Sequence, residues 1–186
     1  MDTNINILGF SGSLRRNSYN KAALNAAKEL LPEGASLELA DLSLIPFFNE
    51  DLEAEGIPSV VADFRKKIAS ADALLIATPE YNYSIPPVLK NALDWASRDK
   101  ERPLSGKPLA IMSASPGMFG GARAQYHLRQ VCVVLNLWAL NKPEVFIINA
   151  DKKFDQEGNL TDDYTRKALS QLLQALVDKA RELKKK

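Results

Sequence analysis

The run Ser11-Gly12-Ser13-Leu14-Arg15-Arg16-Asn17-Ser18-Tyr19-Asn20 crowds hydroxyls, amides and guanidinium groups into one short turn between an apolar segment and a helical pattern. A helix N-terminus leaves backbone N–H groups unpaired and carries a partial positive charge. An anion placed there gains hydrogen bonds and dipole energy together. Arg15, with Arg16 beside it, adds full positive charge, so the chemistry is phosphate binding. Ser18 or Asn20 could simply cap the helix with Arg15 solvated, but a cap alone leaves the crowding of Ser11, Ser13, Arg15, Ser18 and Asn20 unexplained. The glycine patterns of triphosphate and dinucleotide loops are absent, and a monophosphate held by hydroxyls and Arg fits better.

Two further loops have the composition of a binding wall. Thr78-Pro79-Glu80-Tyr81-Asn82-Tyr83-Ser84-Ile85-Pro86-Pro87 is rich in aromatics, amides and prolines. Proline restricts the backbone and preorganises its N–H and C=O groups, which suits a flat ring. Ser113-Ala114-Ser115-Pro116-Gly117-Met118-Phe119-Gly120-Gly121 has glycines that let backbone approach a ligand closely. Its plainer reading is a flexible connection ahead of a helix starting near Gly121.

These loops need elements to position them. Apolar runs at 5–10, 37–42, 73–78, 109–114 and 145–148 read as strands, most of them continuous rather than alternating. Such strands are buried on both faces, as in a parallel sheet covered by helices. Helical periodicity occupies 18–31, 58–70, 86–97, 122 to about 136, and 161–183. Strand and helix alternate throughout. The expected fold is therefore α/β: a five-stranded, doubly wound parallel sheet in the order 2-1-3-4-5 with helices on both faces. In that order the chain reverses between strands 1 and 3, and the loops leaving them open a crevice at the carboxyl edge. All three loops border it. A phosphate cradle, a ring-gripping wall and a glycine-rich floor together suit a mononucleotide with a large planar head, and FMN is the natural candidate. In the last helix Thr161 is the expected N-cap, and Lys184 to Lys186 complement the C-terminal dipole rather than forming a polybasic partner site.

Bulk properties narrow the class. With 186 residues the chain suits one domain, 1–186, burying roughly two-thirds or more of its unfolded surface. A net charge of +1 gives no field to recruit nucleic acid or membrane. One cysteine, Cys132, excludes an internal disulfide and a multi-cysteine metal site, and one histidine, His127, excludes a histidine metal cluster. No metal is expected. Acidic Asp2 replaces a basic leader, and no apolar run is long enough to span a membrane, so a cytoplasmic protein is expected.

The motifs Gly12-Ser13-Leu14-Arg15 with Ser18 and Asn20, Pro79-Glu80-Tyr81-Asn82, and Lys90-Asn91-Ala92-Leu93-Asp94-Trp95 resemble those of the NADPH-dependent FMN reductases, a group that includes chromate, quinone and azo reductases. The resemblance covers nearly the whole chain, residues 46–51 and 115–121 included. It implies a flavodoxin-like fold and FMN bound by Ser11, Ser13, Arg15, Ser18, Tyr19 and Asn20 at the phosphate, with Pro79, Glu80, Tyr81 and Asn82 at the ring and ribityl chain. Ser115 and Gly117 would meet the ring's far side. NADPH or NADH would be the co-substrate and a small molecule (quinone, azo compound, flavin or chromate) the acceptor, served in turn at one site. No catalytic side chain is expected, because the chemistry lies on the flavin. The alternative is a flavodoxin-like electron carrier or regulatory module, although such carriers tend to be strongly acidic and this chain is near neutral.

The family's members are usually dimers or tetramers. Tyr126, Val133, Val134 and Leu137 lie opposite the core face of the 122–136 helix, and Trp95 and Val88 lie off the core face of the preceding one. A homodimer or homotetramer through the 86–97 and 122–137 helices is expected. Cys132 reads as a buried small hydrophobe, His127 as an interface residue, Glu80 as a loop-ordering acceptor, and Trp138 as packing beyond a helix end.

Overall fold

The computed structural model describes residues 4–185; Asp2 and Lys186, invoked above for the leader and the basic tail, lie outside them. The central sheet contains β1 (Ile5–Ser11), β2 (Ala35–Ala40), β3 (Ala73–Ala77) and β4 (Pro108–Ala114), all parallel, in the order β2-β1-β3-β4. The fifth position is divided. β5 (Trp138–Ala139) pairs with the start of β4, and β6 (Val145–Ile147) pairs with its end. The expected order therefore holds. Trp138 belongs to a strand rather than to packing beyond a helix.

Side chains alternate across a strand, and here the alternation divides the core. Ile5, Ile7, Leu75, Ala77 and Met112 face one way, against α1 (Tyr19–Glu29) and α6 (Asp163–Lys184). Leu8, Phe10, Leu74, Ile76 and Ile111 face the other, against α3 (Ser59–Ser70), α4 (Pro87–Ser97) and α5 (Ala122–Val134). β3 and β4 are buried along their whole length, as continuous apolar runs require. β2 begins two residues earlier than expected and exposes Ser36 and Glu38, because it is the edge strand and only one of its faces is covered.

Other expectations give way to packing. A short helix, α2 (Glu50–Glu55), was not foreseen; Asn49 caps it by accepting from the Asp51 N–H. The N-cap of α6 is Asp162, which accepts from the Thr165 N–H, and not Thr161. Trp95 is 0% exposed instead of standing off the core: its indole Nε1 donates to the Pro46 carbonyl at 2.8 Å. Leu137 is also buried, since α5 stops at Val134 and the chain turns back under it. Leu183, near the end of α6, is only half-buried because the helix has reached the rim of the sheet.

Candidate functional site

The turn between β1 and α1 begins at Ser11, whose hydroxyl accepts from the Ser13 N–H at 3.1 Å. Gly12 donates to the Ala77 carbonyl, which ties the turn to the end of β3. A side chain at Gly12 would collide with Pro86, its Cβ falling 2.5 Å from the Pro86 ring, so only glycine lets the β3–α4 loop close against this turn. Ser11, Ser13 and Ser18 are buried. Ser18 is the N-cap of α1 and accepts from the Asn20 and Lys21 N–H groups. Among the described residues no backbone N–H from Leu14 to Tyr19 has a hydrogen-bond partner, and neither Arg15 nor Arg16 has an ion-pair partner. The Arg15 guanidinium lies 5.2 Å from the centre of the Tyr19 ring.

Asn20 departs from expectation. Its amide exchanges two hydrogen bonds with the backbone of Ala114, each 2.9 Å, which occupies the side chain and pins the start of α1 to the end of β4.

On the other side of the crevice, Tyr81 and Ser84 exchange backbone hydrogen bonds around Asn82 and Tyr83, both at positive φ. This is the geometry of a tight type I′ turn. Pro79 is buried and Glu80 nearly so, while Tyr81, Asn82 and Tyr83 are exposed. The Glu80 carboxylate accepts from the Arg123 and Ala124 N–H groups and from Arg123 Nε at 2.6 Å. It thus anchors its loop to the N-terminus of α5, as its reading as a loop-ordering acceptor anticipated. Arg123 in turn lies between Tyr83 and Phe119, 3.8 and 4.4 Å from the two ring centres, and joins the second loop to the third.

In the third loop Ser115 accepts from the Gly117 N–H and is half-buried; Gly117 is exposed. Beneath them Gln125, fully buried, donates to Ser113 and to the Val145 carbonyl, and Ser113 donates to the Gly120 carbonyl. Gly121, at φ 85°, would bring a Cβ within 2.7 Å of Ser113. This buried network holds the glycine turn in place.

Several of the supporting side chains escaped sequence reasoning. Asn91 and Trp95, one helical turn apart, both donate to the Pro46 carbonyl, and the Asn91 Oδ1 accepts from the Phe48 N–H at 2.7 Å. They clamp the segment after β2 onto α4. They stand at i, i+4 on α4, and both are buried although the periodicity placed Trp95 off the core face. Arg123 and Gln125 had no sequence signal. Cys132 is buried and its thiol is pushed up to about 11 by burial, consistent with a packing role. His127 is exposed, with Nδ1 3.1 Å from the Ser84 hydroxyl.

The three loops therefore lie side by side at the carboxyl edge of β1, β3 and β4, tied to one another by Gly12, Asn20, Glu80 and Arg123. Residues 5–152 match the NADPH-dependent FMN reductase family. The chain belongs to this family. An NAD(P)H-dependent FMN reductase of Pseudomonas aeruginosa is 59% identical over 176 residues, covering 95% of each chain. An NAD(P)H:quinone oxidoreductase of Solanum tuberosum is 49% identical over 188 residues, 98% of this chain and 96% of the relative. A flavoenzyme NAD(P)H:(acceptor) oxidoreductase from Paracoccus denitrificans superposes with a TM-score of 0.87 at 32% identity, covering 96% of this chain and 98% of that one. As a member of the family this FMN reductase is an oxidoreductase with FMN as cofactor and a nicotinamide dinucleotide as co-substrate. Among the described residues no helix is long and apolar enough to cross a membrane, and no group of His, Cys, Asp or Glu could hold a metal.

Proposed function

We propose that this FMN reductase passes reducing equivalents from NAD(P)H to a quinone-type acceptor, with both substrates using the same crevice in turn. The observation that carries this reading is the run of unpaired N–H groups from Leu14 to Tyr19 beside two unpaired guanidinium groups. Such a run fits one thing well, the phosphate of the flavin. Ser11, Ser13, Arg15, Ser18 and Tyr19 form that cradle, with Asn20 holding its shape. The Pro79 to Asn82 backbone, whose Glu80 and Asn82 N–H groups have no partner among the described residues, offers donors to the ring's polar edge. Ser115 and Gly117 close the far side.

Bound FMN supplies hydride acceptance from the nicotinamide and donation to the acceptor. What the protein supplies is placement and access. Stiff loops lose little entropy on binding, and a ring wall anchored through Glu80 and Arg123 keeps its donors aimed without reorganisation. Quinones head the acceptors, with azo compounds, free flavin and chromate behind them, because the similar oxidoreductases named for an acceptor include a quinone reductase. We also infer one domain over 1–186, a cytoplasmic setting, and a homodimer or homotetramer built on α5 and the α4 groove. Val133 and Val134 on α5 are 80% and 82% exposed, costly positions for valine in a monomer.

The test is spectroscopic. Loaded with FMN and kept anaerobic, the protein should lose its oxidised flavin band on adding NADPH or NADH and recover it on adding a quinone. A bound flavin that neither nucleotide bleaches would leave an electron carrier or regulatory module, and failure to bind FMN would undo the cradle.

A further inference from the structure

Between α1 and β2, on the side of the phosphate turn away from β3, lies a second hollow of about 260 Å³. Leu24, Leu39 and Leu42 form its apolar floor and walls, and Lys21, Asn25 and Asp41 stand at its rim. It shares Ser11 and Ser13 with the phosphate turn, so the two sites are continuous. Lys21 and Asn25 also border a surface trough that runs past Arg15, Arg16 and Asn17. Neither the Lys21 ammonium nor the Asn25 amide has a hydrogen-bond or ion-pair partner among the described residues. Asp41, one residue beyond β2, is fixed in place: its two carboxylate oxygens accept from the Ser43 N–H and hydroxyl, each at 2.9 Å. The Ser43 backbone N–H most of all, with the Ser43 hydroxyl and the Lys21 charge behind it, keeps that carboxyl below its usual value.

Each part has a chemical match. A leucine-walled space of this size takes a heterocyclic base. A carboxylate held at the end of a second parallel strand accepts from vicinal ribose hydroxyls. An unpaired ammonium within reach of both takes phosphate charge. The opening onto the flavin-phosphate turn matters as well, since a dinucleotide that places its nicotinamide in the crevice must lead its other half away across the protein surface. The family's requirement for a nicotinamide dinucleotide supplies the occupant.

We propose that this hollow is the subsite for the adenosine half of NAD(P)H, with the base on the leucines, the ribose hydroxyls on Asp41 and the pyrophosphate on Lys21. The inference rests on the reductase reading above and deepens it. It assigns to Asp41 a part in specificity: the carboxylate repels a 2′-phosphate and so favours NADH over NADPH.

ADP-ribose, which has the adenosine and pyrophosphate but no nicotinamide, probes the subsite directly. Calorimetric titration of the FMN-loaded protein with ADP-ribose should show binding that Lys21→Ala weakens about tenfold, the loss of one charge-assisted contact. In stopped-flow reduction of the flavin, Lys21→Ala should raise the half-saturating concentration of both dinucleotides by a similar factor while the limiting rate and the quinone KM stay as in the wild type. Asp41→Asn should raise the NADPH-to-NADH ratio of kcat/KM about tenfold. Unchanged ADP-ribose binding in Lys21→Ala overturns the subsite, as does a wild type that binds no ADP-ribose at millimolar concentration. If NADH still bleaches the flavin in those cases, the reductase reading stands and the subsite alone falls; if no dinucleotide bleaches the wild-type flavin, both fall.

Discussion

Arg15 stands at the mouth of the phosphate turn with a tyrosine ring for support and no carboxylate to neutralise it. A guanidinium left unpaired beside a helix N-terminus is poised for a phosphate, and a charge-assisted contact of this kind contributes roughly 1.5–3 kcal/mol. Arg15→Ala should weaken FMN binding by about that amount in a flavin fluorescence titration, and an unchanged affinity would remove Arg15 from the cradle. Asn20 shows the limit of reasoning from residue type. Its amide suited a phosphate as well as any, yet its partner is the backbone of Ala114, 94 positions away in sequence. Ser18 was legible as the cap of α1, because an N-cap hydroxyl is specified by the residues beside it.

At the scale of elements, loops are held by side chains from neighbouring helices. Asn91 makes two bonds to the segment after β2, donating to the Pro46 carbonyl and accepting from the Phe48 N–H, and the Trp95 indole adds a third on the same carbonyl. Asn91→Ala leaves the Phe48 N–H without its acceptor and should cost about 1–3 kcal/mol in urea unfolding. The start of α6 offers a pH signature. Hydrogen bonds from the Thr165 hydroxyl and then its N–H, with Lys153 nearby, hold the Asp162 carboxyl below its usual 3.8. A lowered carboxyl stabilises the fold wherever it is ionised, and that contribution fades as pH falls from 3.8 through the lowered value. Asp162→Ala should therefore be about 1 kcal/mol less stable than the wild type near neutrality. The gap should close in acid, and one that stayed constant with pH would assign the loss to something other than the carboxylate.

For the whole molecule, the exposed valines of α5 and the groove it forms with α4 are the features a monomer would avoid. Val133→Glu should convert the oligomer to a folded monomer in sedimentation or light scattering, with FMN still bound; a wild type already monomeric at micromolar concentration would remove the premise. Trp95, once a candidate for that face, is instead sealed inside by its bond to Pro46. The sequence by itself determined the alternation of strands and helices, the sheet order, the three loops at its carboxyl edge and the cluster of hydroxyl and guanidinium groups in the first. Those properties are written in windows of a few residues, as periodicity, turn chemistry and local charge. Only the tertiary structure decided that Asn20 and Asn91 are braces, that Glu80 and Arg123 join two loops, that the fifth strand is split, and that a leucine-walled hollow opens beside Asp41. Those depend on which distant segments the register of the sheet and the packing of its helices bring within hydrogen-bonding distance, and no local window contains both partners.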